Sequence, residues 1–183
     1  MTIKRSLINI LVTAVFCGIP VIAVAQSSVD DLLDRLANPD LRNWEVVEND
    51  VMQRWTLSGS ATADYLLRRG QEALDAEDYA AAYDHLTALV DHAPDFAEGW
   101  STRATLFFEQ QMYGPAIADL QRALALEPRH FGALAGMGIM LEDMGQYDEA
   151  LEAYEAAHAI HPNQPDILRL LNGLRVQLEG EAL

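Results

Sequence analysis

The chain has 183 residues, half of them apolar, and sets 28 Asp and Glu against 12 Lys and Arg for a formal charge of −16. A surface this acidic repels nucleic acid and anionic membranes and leaves no basic patch for phosphate groups. The single cysteine, Cys17, excludes an internal disulfide framework.

The chain opens on Met1-Thr2-Ile3-Lys4-Arg5, runs apolar from Leu7 to Val24, and reaches Ala23-Val24-Ala25 before Gln26. A basic start, an apolar stretch and an A-x-A site predict a signal peptide over 1–25, cleaved after Ala25. The expected protein is therefore exported, periplasmic in a bacterial cell, with no stable membrane anchor after cleavage. A transmembrane anchor is the rival reading, and Gly18, Pro20 and the polar segment after Ala25 speak against it. Lipidation at Cys17 would need a small residue where the bulky Phe16 stands.

Cleavage removes Cys17, so the exported part has no thiol nucleophile, no thiol–disulfide exchange and no cysteine zinc site, and core packing alone must hold it. Cleavage also removes Lys4 and Arg5 but no carboxylate, which makes the remainder two charges more acidic than the whole chain. All its cations are arginines. If charge steers a partner, that partner carries a basic face; the same acid would also serve solubility alone.

Residues 26–60 read as an N-terminal helical extension. A short helix signal at 29–36 ends at Asn38-Pro39-Asp40. Asn43 is placed to cap a second helix running to Trp55, whose Trp44, Val47, Val51, Met52 and Trp55 fall on one face. Two tryptophans on one face need cover, so this helix is expected to pack on the first repeat as a lid. Ser60 can cap the helix that follows.

From there a 34-residue period governs the chain. Pro94, Pro128 and Pro162 keep it, as do Tyr79, Tyr113 and Tyr147, Gly70, Ala104 and Gly138, and Ala82, Ala116 and Ala150. The repeats run 63–96, 97–130 and 131–164 within a domain spanning 61–179. Each predicts a helix A (about 63–76, 97–110, 131–144), a short turn, and a helix B (about 79–92, 113–126, 147–160). Each proline ends a B helix by excluding the helical region for the residue before it. Pro115 lies in a first turn, where its missing N–H costs little. A capping helix at 165–179 turns Ile167, Leu168, Leu171, Leu174 and Leu178 to one side to cover the last repeat. The small residues on helix A are expected to face Ala on helix B and bring the two axes close.

This pattern resembles the tetratricopeptide repeat. That family sets a large apolar residue at its fourth position (Leu66, Trp100, Leu134 here), a small one at its eighth, Ala at its twentieth and twenty-seventh, and Pro at its thirty-second. Ala116 with Ala123 and Ala150 with Ala157 match; the first repeat has Ala82 but Leu89, so its B helix is expected to sit farther out. The resemblance implies an all-α solenoid of three helix-turn-helix pairs and a concave groove lined by the A helices. Its groove positions correspond to Asp64, Leu67, Gln71, Leu74 and Asp75; to Glu98, Ser101, Thr105, Phe108 and Glu109; and to Ala135, Ile139, Glu142 and Asp143. Acidic and apolar groups alternate there, which suits a peptide or protein with a basic or mixed basic and apolar face. The alternative for Leu67, Leu74, Phe108 and Ile139 is support of neighbouring helices. Chaperone-binding members clamp a carboxylate with cations, but the corresponding places here hold Leu67, Gln71, Thr102, Gly132 and Gly136, so that use is excluded.

No constellation for catalysis stands out. The five histidines show no H-E-x-x-H arrangement, and His92, His158 and His161 read as helix C-terminal dipole partners, so neither a metal site nor a cofactor is expected. No Gly-rich phosphate loop and no G-x-S-x-G occurs, and the glycines from Gly132 to Gly138 fall on helix A packing positions. The expectation is an exported adaptor or scaffold protein, not an enzyme. Among similar exported repeat proteins the resemblance implies envelope assembly, secretion or cytochrome maturation. A self-associating structural solenoid is the second reading.

Overall fold

Ser28 and Asp31 exchange hydrogen bonds, Asp31 N to Ser28 Oγ at 3.1 Å and Ser28 N to Asp31 Oδ2 at 3.0 Å, and this capping box starts the first helix. The computed structural model describes residues 28–181. Residues 1–25, read above as a signal peptide, and Cys17 within them, lie outside the described residues. The described residues form nine helices and no strand: α1 (Val29–Leu36), α2 (Trp44–Trp55), α3 (Ala61–Asp75), α4 (Tyr79–His92), α5 (Ala97–Glu109), α6 (Tyr113–Leu126), α7 (Phe131–Asp143), α8 (Tyr147–Ile160) and α9 (Pro165–Glu181). Asn43 stands at the head of α2 but makes no side-chain cap, whereas Ser60 accepts from Ala63 N at 3.4 Å.

Helices α3 with α4, α5 with α6 and α7 with α8 form three antiparallel pairs stacked in sequence, and α9 closes the stack against α8. The three turns inside the pairs share one geometry. Glu77, Gln111 and Gly145 each take a left-handed conformation, with φ of 55°, 58° and 73°. In each, the next N–H reaches five residues back: Asp78 to Ala73, Met112 to Phe107 and Gln146 to Leu141, all at 2.8 Å. These are Schellman closures, and they satisfy carbonyls that a helix end otherwise leaves free.

The small residues on the A helices act differently from the expectation. A Cβ on Gly70 would run into the Leu86 side chain, and one on Gly138 into the ring of Tyr154. The partner is thus a large residue of the B helix, not an alanine, and glycine makes room for it. The Leu89 irregularity is resolved in the same way. Leu89 is fully buried, and the space for it comes from Gly99 on the next A helix, where a Cβ would stand 3.0 Å from Leu89 Cδ2.

The extension departs most from expectation. Its Leu32, Leu33, Leu36, Val47, Val51 and Trp55 are buried with Phe131, Ala157 and Ile167, so it covers the third pair and α9 and not the first pair. It lies across the end of the stack where α6 turns into α7 and α8 into α9. Met52, expected on the buried face, is 39% exposed.

Gly138→Ala should lower the melting temperature of the full chain. Helix propensity favours alanine by about 1 kcal/mol, but Tyr154 is fully buried and tethered through its hydroxyl to Glu142. Overpacking of about 1–3 kcal/mol then dominates. Gly70→Ala should destabilise as well, since its Cβ would meet both Cδ2 and Cγ of the fully buried Leu86. Equal melting temperatures for Gly138→Ala and the parent chain would refute this account of the pair.

Candidate functional site

The A helices α3 and α5 bound a cavity of about 480 Å³. Gln71, Leu74 and Asp75 line it from α3, Glu98, Ser101, Thr102, Thr105 and Glu109 from α5, and Glu77 and Tyr79 from the turn into α4. Four carboxylates and no Lys, Arg or His face it. Three of the four, on Asp75, Glu77 and Glu109, are exposed and have no bonding partner among the described residues. A site of this character attracts cations and resists anions.

The fourth carboxylate is engaged. Glu98 Oε2 stands 2.9 Å from His130 Nε2, with both side chains largely buried. His130 Nδ1 accepts from Ala133 N at 3.1 Å, which caps α7. That bond leaves the proton on Nε2, so the neutral ring donates to Glu98. Trp55 of the extension stacks on the same ring, at 4.2 Å between centroids and 11° between planes. A contact chain thus runs from α2 through His130 to a wall of the cavity.

Not every expected groove residue reaches it. Asp64 instead accepts from Ser58 N at 2.7 Å and from the Ser58 hydroxyl at 2.6 Å, pinning the turn that leads into α3. Leu67 is 2% exposed and belongs to the core of the first pair, because its helix turns that face toward Leu86 and Leu106. Phe108 is half-buried against Tyr113 and the core of the second pair. Ala135 packs under α1 and α2, and Ile139 packs on the core shared by α8 and α9. Glu142 accepts the Tyr154 hydroxyl at 2.8 Å, and Asp143 accepts that of Tyr113 at 3.2 Å. The third pair's positions are therefore spent on packing. Glu77, Tyr79 and Thr102 join the cavity although the sequence reading did not count them among the groove positions; their places at the turn and on the flank of helix A are legible from the register.

Two further polar features lie outside the cavity lining. Arg103 on α5 forms a two-pronged ion pair with Asp119 on α6, at 2.6 and 2.9 Å, and lies over the rings of Trp100 and Phe107. It fastens the second pair with fixed geometry. His161, fully buried between Trp44 and Phe131, has no hydrogen bond on either ring nitrogen; Glu48 Oε1 stands 3.7 Å away. Burial pushes its pKa down to about 4. Among the described residues, no group of three or more His, Cys, Asp or Glu is placed to hold a metal, and no helix is long and apolar enough to cross a membrane.

Comparison with known proteins places this arrangement. A tetratricopeptide repeat family model matches residues 107–174. A TPR repeat-containing protein of Rhizobium etli is 34% identical over 148 residues, covering 81% of this chain and 72% of that protein. Among solved structures, the Sgt2 TPR domain from Aspergillus fumigatus superposes with a TM-score of 0.64 at 25% identity, over 67% of this chain and 83% of that one. The TPR2B domain of yeast Sti1, solved in its pHsp70 complex, gives 0.60 at 26% identity, over 64% of this chain and 99% of that one.

The buried histidine makes docking of the extension sensitive to acid. With its pKa at about 4 when buried and near 6.5 when free, His161 binds more protons in the open or unfolded state. Its contribution is complete above about pH 6.5 and is lost as pH falls toward 4, by about 3 kcal/mol in all. Glu48, raised by burial and by Glu45 and Asp166, opposes this in part below its own raised value. The chain should therefore melt lower at pH 5 than at pH 7, and His161→Phe should reduce that difference. An unchanged difference in the variant would show that the acid response lies elsewhere.

Proposed function

The chain belongs to the tetratricopeptide repeat family, and on that premise we propose that it is a protein-interaction adaptor, exported from the cell that makes it. Its partner is a protein segment with a basic or mixed basic and apolar face, held in the cavity between α3 and α5. The observation that carries this is the set of unpaired carboxylates on Asp75, Glu77 and Glu109, which face a cavity without any cation. The similar Sti1 domain was solved in its pHsp70 complex, which supports recognition of another protein as the general mode. Its partner chemistry does not carry over. Gln71 and Thr102 stand where a clamp for a carboxylate would need cations, and acid surrounds them.

Three repeats, at 63–96, 97–130 and 131–164, make up this adaptor, with the extension as a fixed part of it. Export rests on the basic, apolar and A-x-A pattern of residues 1–25. A periplasmic place, with a part in assembling the cell envelope, is the setting we assign to it; the absence of a thiol after cleavage suits such an oxidising compartment.

Two measurements test this reading. Affinity for short Arg-rich peptides should fall as salt is raised from 0.1 M, where charges act over about 10 Å, to 1 M, where they act over about 3 Å. Reversing the cavity charge with Asp75→Lys and Glu109→Lys should weaken binding about tenfold. Binding indifferent to both would overturn the cavity as the site. Separately, mass spectrometry of the protein from the periplasmic fraction should give an amino terminus at Gln26; an intact Met1 terminus confined to the cytoplasm would sink the export reading.

A further inference from the structure

A second cavity, of about 660 Å³, adjoins the first, and Gln71 lines both. Its other lining residues are Thr56, Leu57, Ala61, Asp64, Tyr65, Leu67 and Arg68. Leu57 is 66% exposed and Tyr65 51% exposed, large apolar groups left open to solvent beside a polar, acidic cavity. Leu67 forms an apolar floor. The one cation is already committed: Arg68 meets Glu72 at 3.0 Å, and its guanidinium lies 5.3 Å over the Tyr65 ring. It shares Glu72 with Arg69 and extends the aromatic wall, so this cavity suits the ligand's apolar side chain and leaves its cation to the carboxylates next door.

Leu57 comes from the link between α2 and α3, and two contacts fix that link: the Ser58–Asp64 hydrogen bonds on one side and the Trp55–His130 stack on the other. The extension therefore holds Leu57 at the rim of the cavity instead of leaving it on a loose connection.

We propose that this second cavity is an apolar subsite built jointly by the extension and α3, and that the partner segment carries an aliphatic or aromatic side chain for it next to Arg or Lys for the carboxylates of the first cavity. The inference rests on the adaptor reading and sharpens its partner. The partner is a basic segment with an apolar anchor, not a uniformly basic one. Charge complementarity selects it over an acidic segment, and the exposed Leu57 and Tyr65 select it over a purely polar one.

The test uses the full chain from Gln26 and short fluorescent peptides that combine Arg with one Leu, Phe or Tyr at varied spacing and in both orders. A matched set replaces the apolar residue with Ser. Fluorescence anisotropy should show the best apolar peptides binding about tenfold or more tighter than their Ser counterparts, as burial of one such side chain implies. Leu57→Ser and Tyr65→Ser should each shrink that ratio, while Asp75→Lys should weaken both sets and keep it. Both replaced side chains are exposed, so the variants should melt like the parent, and each checks the other. Equal binding of apolar and Ser peptides would overturn the subsite and leave the adaptor reading standing. Failure of every Arg peptide to bind would overturn both. Light scattering that shows a dimer abolished by Leu57→Ser would assign the cavity to a second copy of the chain and overturn the proposal.

Discussion

Close approach of two helix axes needs a small or absent side chain on one of them, and the rest of this molecule follows from where that position is placed. Gly70 and Gly138 leave volume that Leu86 and the Tyr154 ring fill, and Ala104 holds the same place against α6, so each B helix settles against its A helix at one depth and one rotation. Because that rotation is fixed, the adjoining face of each A helix is fixed too. On α3 and α5 that face carries Gln71, Leu74, Asp75, Ser101, Thr105 and Glu109, and the cavity between them exists because the pairs cannot slide. Gly99 repeats the device between neighbouring pairs, where it takes up Leu89.

The third pair shows the same scaffold put to another use. There the face that could line a groove is covered or bonded: Ala135 by the extension, Ile139 by α9, Glu142 by Tyr154. The aromatic contacts of Trp44 and Trp55 fall on His161 and His130, at the heads and tails of helices joined by the proline turns. The open cavity is left to the first two pairs, and the far end serves as the anchorage of the extension. The hydrogen bond from His130 to Glu98 joins the two regions.

Much of this was legible in the sequence, and the reason is the period. A residue that recurs every 34 positions meets the same neighbours each time, so the B helices and the turns at Glu77, Gln111 and Gly145 could be read from register, and the closing role of α9 from its one-sided apolar face. The extension lies outside the period. Its Trp44, Val47, Val51 and Trp55 announce a buried face, but nothing in their spacing says which surface receives it, and adjacency in sequence suggested the first pair. The receiving surface is made by Phe131, Ala157 and Ile167, each of which also looks like ordinary repeat packing. For the same reason the register could nominate Leu67 and Ala135 as groove residues but could not see that one faces inward and the other is covered. Leu57 and Tyr65 carry no motif at all; only their exposure beside a cavity marks them.

The seat of the extension bears on how the molecule comes apart. In a plain stack each pair touches only its neighbours, so either end can fray while the rest stays folded. Here Asn163 donates to the carbonyl of Asn38 across 125 residues of chain, and α1 and α2 share one core with α7, α8 and α9. The final pair cannot loosen without stripping that core from the opening helices, and these cannot lift without exposing the final pair. Such closure turns a ladder of local steps into something nearer a single event, with slower folding as the cost of its long-range contact. The closing end of a helical array that ordinarily melts piecemeal is thereby tied into one cooperative unit with the opening helices, while the first pair keeps a plain end.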